Sequence, residues 1–590
     1  MRIAHPSRWL VPAIVGLAVV ILLLGGYAAW QAHHVQSALS AATDDAARLQ
    51  QAVESGNTTG IDRAMADLRD HSRSARASTD GWVWSLATHL PAYGDDARGV
   101  RVASRVVAQL SENGLSSLAD SATALGSIAP RDGRVDVAAV TKLQGSIADA
   151  SRALASARRE LAAQDPSGYV TGLKTRYREL EDRVDRAAST MASAEIAAKV
   201  LPKMLGGDGP RNYLLVMENN AEIRSTGGLP GAVSVLHTDH GRITMPVQAA
   251  GSAIPMRARP VLPLTAAERN IYGDQLGTYF LDANLTPDFA RTAALWTARW
   301  QEVHGQRIDG VITVDAVELS YLLRATGSVT VDGVRLTPDN ATDVLLHRVY
   351  LDIPDPAKQD LFFRAVAKAV FDRVSQGTGS PQALIRALAT GAVEHRVLIH
   401  DGDPAVQQHL AGTPVAGDFA TARSDSTSNP QVTFSLDDSN ASKMSYFLRY
   451  DVAVRSTYCT GGVQGLTGSA TLGSTLAPSQ VAQQPAYVLG DYRDLQISKG
   501  SQLVSVFIHG PVGGSISHVL QDGKPDDTAW IAHQDGRPVA QLYVVLGPGQ
   551  KVDLTWVMKS GHGQTGDTDV DVTPGVRPGS TSSTAASTCR

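Results

Sequence analysis

Between Trp9 and Trp30 the chain carries no charged side chain for 22 residues (WLVPAIVGLAVVILLLGGYAAW). As a helix at about 1.5 Å per residue this run reaches about 33 Å, enough to cross a hydrocarbon layer of about 30 Å. Arg2, Arg8 and the terminal amine precede it, and the next Lys or Arg is Arg48. That asymmetry predicts a cytoplasmic N-terminus (1–8), a single transmembrane helix (9–30) and an extracytoplasmic remainder. The run is longer than the apolar stretch of a cleaved leader, about 7–15 residues, and no clean small-x-small cleavage site follows it. The expected location is therefore the plasma membrane, single-pass, with the membrane itself as one partner.

The rest of the chain has the make-up of folded protein. Of its 590 residues 43% are hydrophobic and 19% charged, and 53 basic against 58 acidic side chains leave a net charge of −5. Such a balance excludes a disordered acidic chain and a basic nucleic-acid binder, so no nucleic acid is expected. At about 150 residues per domain the length asks for three or four units. Cys459 and Cys589 lie far apart with no CxxC or Cys/His cluster, which argues against a disulfide framework and a structural zinc site. Whether the two pair with each other, or Cys589 remains a free terminal thiol, is open.

After the anchor, Val35, Leu39, Ala42, Ala46, Leu49 and Val53 step by four and three, the seam of an amphipathic helix. Val140 to Leu161 and Val170 to Met191 repeat it. Ser55-Gly56-Asn57, His89 to Gly94, Ala129 to Gly133 and Asp165 to Gly168 interrupt the pattern. Residues 31–205 thus read as a helical stalk or bundle packed within one chain. Trp82 and Trp84 sit before one of these turns, facing either a bilayer surface or a local core.

From Pro210 the periodicity changes. Asn212 to Met217, Gly231 to Leu236 and Arg242 to Val247 read as strands, the last two a hairpin around His240-Gly241; Asp309 to Val314 is a further strand. Asp288 to Trp300, Val317 to Leu323 and Phe362 to Val374 read as helices. The alternation predicts an α/β sandwich core with a mixed sheet over 206–430. Short strands between Tyr446 and Met558, separated by turns such as Asp522-Gly523 and Asp535-Gly536, predict an immunoglobulin-like β-sandwich over 431–560. Residues 561–590, rich in Gly, Ser, Thr, Asp and Pro, read as a disordered tail. The fold class is multidomain α+β.

The densest polar cluster follows the first strand of the core: Glu218, Asn219, Asn220, Glu222, Arg224, Ser225, Thr226, Gly227 and Gly228. Open α/β sheets place ligands at strand carboxyl ends. Arginine grips phosphate or carboxylate bidentately, and a glycine pair turns backbone N–H groups toward an anion. The competing reading is a local Glu222–Arg224 pair above a tight turn. His237 and His240 share a hairpin turn without a third ligand in reach, so no metal site is assigned. No GxSxG, Walker loop, HExxH or GxGxxG before a helix is present.

The runs NNAEIRSTGG, DANLTPDFARTAALW, IDGVITVDAVELSYLLRATGSVTVDG, VYLDIPDPAKQDLFFRAVAKAVFDRV and NASKMSYFLRYDV resemble an actinobacterial envelope family known as a domain of unknown function, over Trp82 to Ser560. The order of strands, loop, hairpin and basic helix is also similar to the LytR-CpsA-Psr family, membrane-anchored enzymes that transfer glycopolymers from polyprenyl pyrophosphate to the cell wall. By that resemblance Arg224 matches the arginine of an Arg-x-Asp motif in which Thr226 stands for the aspartate. Arg348, Lys358 and Arg364 fall near a later arginine cluster, and the Pro-Arg-Asp segment is replaced by Gln248 to Pro255. The resemblance implies a pyrophosphate held by Arg224, Arg348, Lys358 and Arg364, with Asn219, Asn220, Thr226, Gly227 and Gly228 lining the site. Glu218 or Glu222 would help hold Mg²⁺, and the partner would be a polyprenyl-pyrophosphate glycolipid or a cell-wall glycan. Two functions are expected from this: a binding or scaffold protein of envelope assembly, or a phosphotransferase.

Overall fold

The computed structural model describes residues 30–31, 33–49, 51–52, 57–91, 93–114, 130–419 and 428–589. Among these no helix is long and apolar enough to cross a membrane. The expected span lies outside them except for Trp30. The chain divides into two compact units, one of residues 1–129 and 136–202, the other of 130–135 and 203–590.

The first unit is helical. Residues 33–49 precede α1 (Thr58–Thr79), α2 (Gly94–Gln109), α3 (Val137–Ala162) and α4 (Thr171–Met204). Asn57, expected within a break, is the N-cap of α1, its side chain accepting the Gly60 N–H at 3.0 Å. The expected seam of α3 is buried at Val140, Leu143, Ala150, Leu154, Ala157 and Leu161, and the last three pack with Val102 and Val106 of α2 and with Tyr177 and Val184 of α4. Three seam positions are displaced: Ala46 is exposed while Asp45 is buried, Val170 is exposed while Tyr169 is buried, and Ala187 is exposed while Ala188 is buried. Asp45 is buried because His71 and Arg48 bond its carboxylate. Trp84 packs locally and donates its indole N–H to the Ala97 carbonyl at 2.9 Å, whereas Trp82 is exposed.

In the second unit the α/β core has a five-stranded sheet. Its strands are β1 (Arg211–Asn219), β2 (Leu229–Asp239), β3 (Arg242–Ala250) and β4 (Gly310–Asp315), plus a fifth that follows a short hairpin of β5 (Val329–Val331) and β6 (Val334–Leu336); that fifth strand is β7 (Leu398–Asp401). The order is β3-β2-β1-β4-β7, with β1 and β4 parallel and the other neighbours antiparallel. Leu214 and Val216 of β1 pack beneath Phe289, Trp296 and Trp300 of α5 (Phe289–His304). Met217 faces the other way, toward a cluster built by α6 (Ala316–Thr326), α7 (Pro356–Ser375) and α8 (Pro381–Val393). The expected mixed sheet forms, and helices cover both of its faces.

Two further sheets pack face to face. One has the order β13-β12-β16-β10-β9 and the other β14-β15-β11-β8-β17-β18. Their strands are β8 (Gln431–Asp438), β9 (Leu448–Thr460), β10 (Val463–Ser474), β11 (Gln502–His509), β12 (Ser515–Gln521), β13 (Lys524–Pro525), β14 (Trp530–Gln534), β15 (Arg537–Leu546), β16 (Lys551–Lys559), β17 (Thr568–Val572) and β18 (Ser582–Ala585). Alternating residues such as Phe434, Leu466, Val506, Leu542 and Trp556 fill the space between them. These orders establish a two-sheet sandwich; an immunoglobulin-like strand order does not follow from them.

Two expectations need correction. Position 430/431 is not a boundary between compact units, because 203–590 holds together as one. Phe507 and Val539 of the sandwich join the core beneath α5, and Met444, Phe447 and Leu489 join the core around α6. The tail is not disordered: β17 pairs parallel to β8, and β18 pairs with β17. Its backbone finds partners that composition cannot reveal, since Arg396 takes the Gly575 and Arg577 carbonyls and the Thr573 hydroxyl bridges Ser225 and Leu436. The pairing that the sequence leaves open is made: Cys589 is bridged to Cys459, with a Cα–Cα distance of 5.0 Å.

Candidate functional site

The polar loop begins where β1 ends. Glu218 lies opposite Asp315 in the parallel β1/β4 register, so two strand carboxyl ends meet there. The glycine pair serves close packing. At Gly228 a Cβ would lie 2.3 Å from the Asn219 carbonyl carbon, and at Gly227 (φ 144°) 2.8 Å from Glu218 Oε2. The expected anion cradle is thus filled by the protein's own groups.

Arg224 is buried, and its guanidinium is committed. One terminal nitrogen donates to Glu222 at 3.1 Å and to Asp282 at 3.2 Å; the other donates to the Ile223 and Asp438 carbonyls at 3.1 and 3.3 Å. Its Nε has no partner. Lys443 closes on the other oxygen of Glu222. Burial acts to lower Arg224, but Glu222, Asp282, Asp437 and Asp438 outweigh it and keep the guanidinium protonated. Burial alone would raise Glu222; Lys443 and Arg224 reverse this and hold it below the usual carboxylate range. Burial pushes Asp437 well above that range, even though it accepts the Ser225 backbone N–H at 2.7 Å. Burial also raises Asp282 and Asp438.

Beside this lies a second buried network. Glu218 accepts the Thr226 hydroxyl at 2.5 Å and the Asn284 amide at 3.1 Å, and burial keeps its carboxyl well above the usual range. Asn284 also donates to Thr226 and to the Gly228 carbonyl, each at 2.9 Å. Asn220 donates to Asp315 at 3.0 Å, and Asn219 donates to the Tyr350 hydroxyl. Asp315 in turn receives Arg396 at 2.7 Å.

The structure therefore brings together Glu218, Asn219, Asn220, Glu222, Arg224, Thr226, Gly227 and Gly228, and leaves the other basic candidates apart. Arg348 is 60% exposed and pairs at 3.7 Å with Asp352, one turn along. Lys358 is exposed, and Arg364 is half-buried with its Nε on the Asp360 carbonyl at 3.3 Å. None of the three shares a hydrogen bond or ion pair with Arg224. The donor set does not suit Mg²⁺ either: Glu222 is neutralised by two cations, and Glu218 favours its protonated form. Among the described residues no group of three or more His, Cys, Asp or Glu is placed to hold a metal. His237 bonds Asn212 at 2.9 Å, and His240 bonds its neighbour Asp239 at 2.6 Å.

Sequence reasoning missed Asp282, Asn284, Arg396, Asp437, Asp438 and Lys443. Three of these lie in the quoted runs, Asp282 and Asn284 in DANLTP and Lys443 in NASKM. Nothing local marked Asp437 and Asp438, which end β8 and reach the loop through tertiary contact alone.

Arg224 and the acidic trio Asp282, Asp437 and Asp438 form one end of a cleft of about 980 Å³. Its floor is the outer face of the sheet containing β8, β11, β14 and β15, with Phe507, Trp530 and Tyr543 on it; its wall is the segment from Asn270 to Gln275. No curated protein matches the chain. Residues 208–350, which hold β1 to β4, the polar loop, α5 and α6, match the model of a family described as a protein of unknown function (DUF4012).

Proposed function

We propose that this is a membrane-anchored extracytoplasmic protein of cell-envelope assembly, acting by binding or scaffolding rather than by catalysis. The observation that carries the non-catalytic reading is the internal neutralisation of Arg224. Its terminal nitrogens are engaged by Glu222, Asp282 and two carbonyls, and two further carboxyls, Asp437 and Asp438, crowd the same space. A diphosphate entering there would meet Asp282, Asp437 and Asp438 with one guanidinium to offset them. The alternative, transfer of a glycopolymer from a polyprenyl-pyrophosphate carrier, needs Arg224, Arg348 and Arg364 on one ligand. Their separate engagements speak against it. Extracytoplasmic placement is supported by the charge asymmetry around the apolar run Trp9 to Trp30 and by the Cys459–Cys589 bridge, a bond that persists in oxidising compartments.

Native mass spectrometry of the detergent-extracted full chain tests the functional half. Wild type and an Arg348→Ala/Arg364→Ala variant, altered only at exposed or half-buried positions, should be indistinguishable, with no polyprenyl-diphosphate lipid retained. A diphosphate lipid retained by wild type and lost from the variant would overturn the non-catalytic reading. Protease added to intact spheroplasts should digest the region after residue 30; full protection would overturn the placement.

A further inference from the structure

The outer face of a sheet in a two-sheet sandwich is normally polar. Here it is not. Val504, Val506, Leu542 and Val544 point inward to the sandwich core. Their alternates face the cleft, where Trp530 and Tyr543 are 39% and 46% exposed. The strand register aligns these residues in rows. Trp530 lies opposite Gln541, which lies opposite Phe507; Tyr543 lies opposite Ser505, which lies opposite Asp437. At about 4.8 Å between strands, the floor runs about 14 Å from β14 to β8. Gln541 donates to the Tyr543 hydroxyl at 3.2 Å and so orients that ring.

At the far end the groups are polar and buried. Arg224 is 6% exposed, and its Nε is an N–H donor with no partner. Asp282, Asp437 and Asp438 surround it, three carboxyls to one guanidinium. A ligand that suits this cleft has apolar faces for the two exposed rings, hydroxyls that both donate to carboxyl oxygens and accept from Arg224, and no negative charge. A pyranose chain meets all three requirements, because its C–H faces stack on aromatic rings while its edges carry hydroxyls. A peptide that extends a sheet uses the backbone of an edge strand. This cleft opens over the face of the sheet and offers side chains.

We propose that the cleft binds a neutral glycan chain, with sugar rings on Trp530 and Tyr543 and hydroxyls bonded at the Arg224–Asp282 end. The assignment rests on the binding reading above and gives it a ligand class. Burial raises all three aspartates, which favours hydrogen bonding to neutral hydroxyls over attraction of a cation.

The test is titration calorimetry of the detergent-extracted full chain with neutral hexasaccharides of glucose, mannose, galactose, arabinose and N-acetylglucosamine, a hexauronate and hexa-alanine. At least one neutral hexasaccharide should bind. Trp530→Ala should weaken that binding about tenfold, and Tyr543→Ala should weaken it in the same direction. Tyr458→Ala, at an exposed aromatic on the other sheet, should leave it unchanged. Unaltered melting of all three variants separates lost contacts from lost fold. Binding indifferent to Trp530→Ala, binding of the hexauronate or the peptide alone, or no binding at all would overturn the glycan assignment. None of those results touches the non-catalytic reading, which falls only to a retained diphosphate lipid.

Discussion

Glu318 lies on α6 three residues after the N-cap Asp315, fully buried, and neither of its carboxyl oxygens has a partner. Burial, with the Asp315 charge adding to it, pushes its pKa up to about 9 from 4.5. The folded protein therefore keeps this proton up to about pH 9, while the unfolded chain releases it above about pH 4.5. Between those values the unfolded state binds fewer protons, so stability falls as pH rises, by about 1.4 kcal/mol per pH unit. At pH 7, about 2.5 units above 4.5, the penalty is about 3 kcal/mol; below pH 4 it vanishes. Glu318→Gln removes the titration and leaves a neutral polar group of nearly the same shape in the same place. The variant should match wild type at pH 4 and exceed it by about 3 kcal/mol at pH 7, with the gap widening to pH 8. Urea titration read by hydrogen-exchange mass spectrometry of peptides within Ala316–Thr326, corrected for intrinsic exchange, measures this locally. It avoids assuming that two compact units unfold together. A difference that stays flat between pH 4 and 8, or a variant less stable than wild type at pH 8, refutes the reasoning.

Lys443→Met should cost about 3–5 kcal/mol by leaving Glu222 buried with one partner fewer, and adding Glu222→Gln should recover part of it; a double-mutant cycle in urea reads the coupling. Gly391→Ala should destabilise the protein, although alanine favours a helix interior by about 1 kcal/mol, because its Cβ would lie 2.0 Å from Glu318 Oε2. Combined with Glu318→Ala the same substitution should become neutral or stabilising in thermal melts. Cys459→Ser opens a covalent ring spanning 130 residues, a loss of about 4–5 kcal/mol in the chain-entropy picture. Limited proteolysis should then cut first within 561–590, and an unchanged cleavage pattern would count against a structural role for the bridge.

The elements that periodicity reveals were legible in the sequence. The seam of α3, the hairpin of β2 and β3, the parallel strand β4 and most sandwich strands are marked by spacing alone. What lay beyond it depended on partners distant in sequence. Strand β8 ends in two aspartates that nothing local marks, and both are buried against a loop more than two hundred residues earlier. The tail is poor in apolar residues, and its order comes from Arg396, Thr573 and a disulfide. The polar loop illustrates the same limit. Its residue types suit anion binding as well as they suit a closed ionic network, and only the arrival of Lys443, Asp282 and Asp437 decides between the two. Arg348 and Arg364 belonged with Arg224 by resemblance, but each is spent on its own helix.

The bridge between Cys459 and the penultimate residue sets the path of mechanical load through the chain. A pull applied at the C-terminus passes through the disulfide directly into β9 and bypasses everything from β10 to β18. About 450 Å of contour length is enclosed in that ring and cannot be drawn out while the bond holds. Under load applied at both ends of the chain, the sandwich would resist extension as a closed loop, and reduction would convert it into an extensible one.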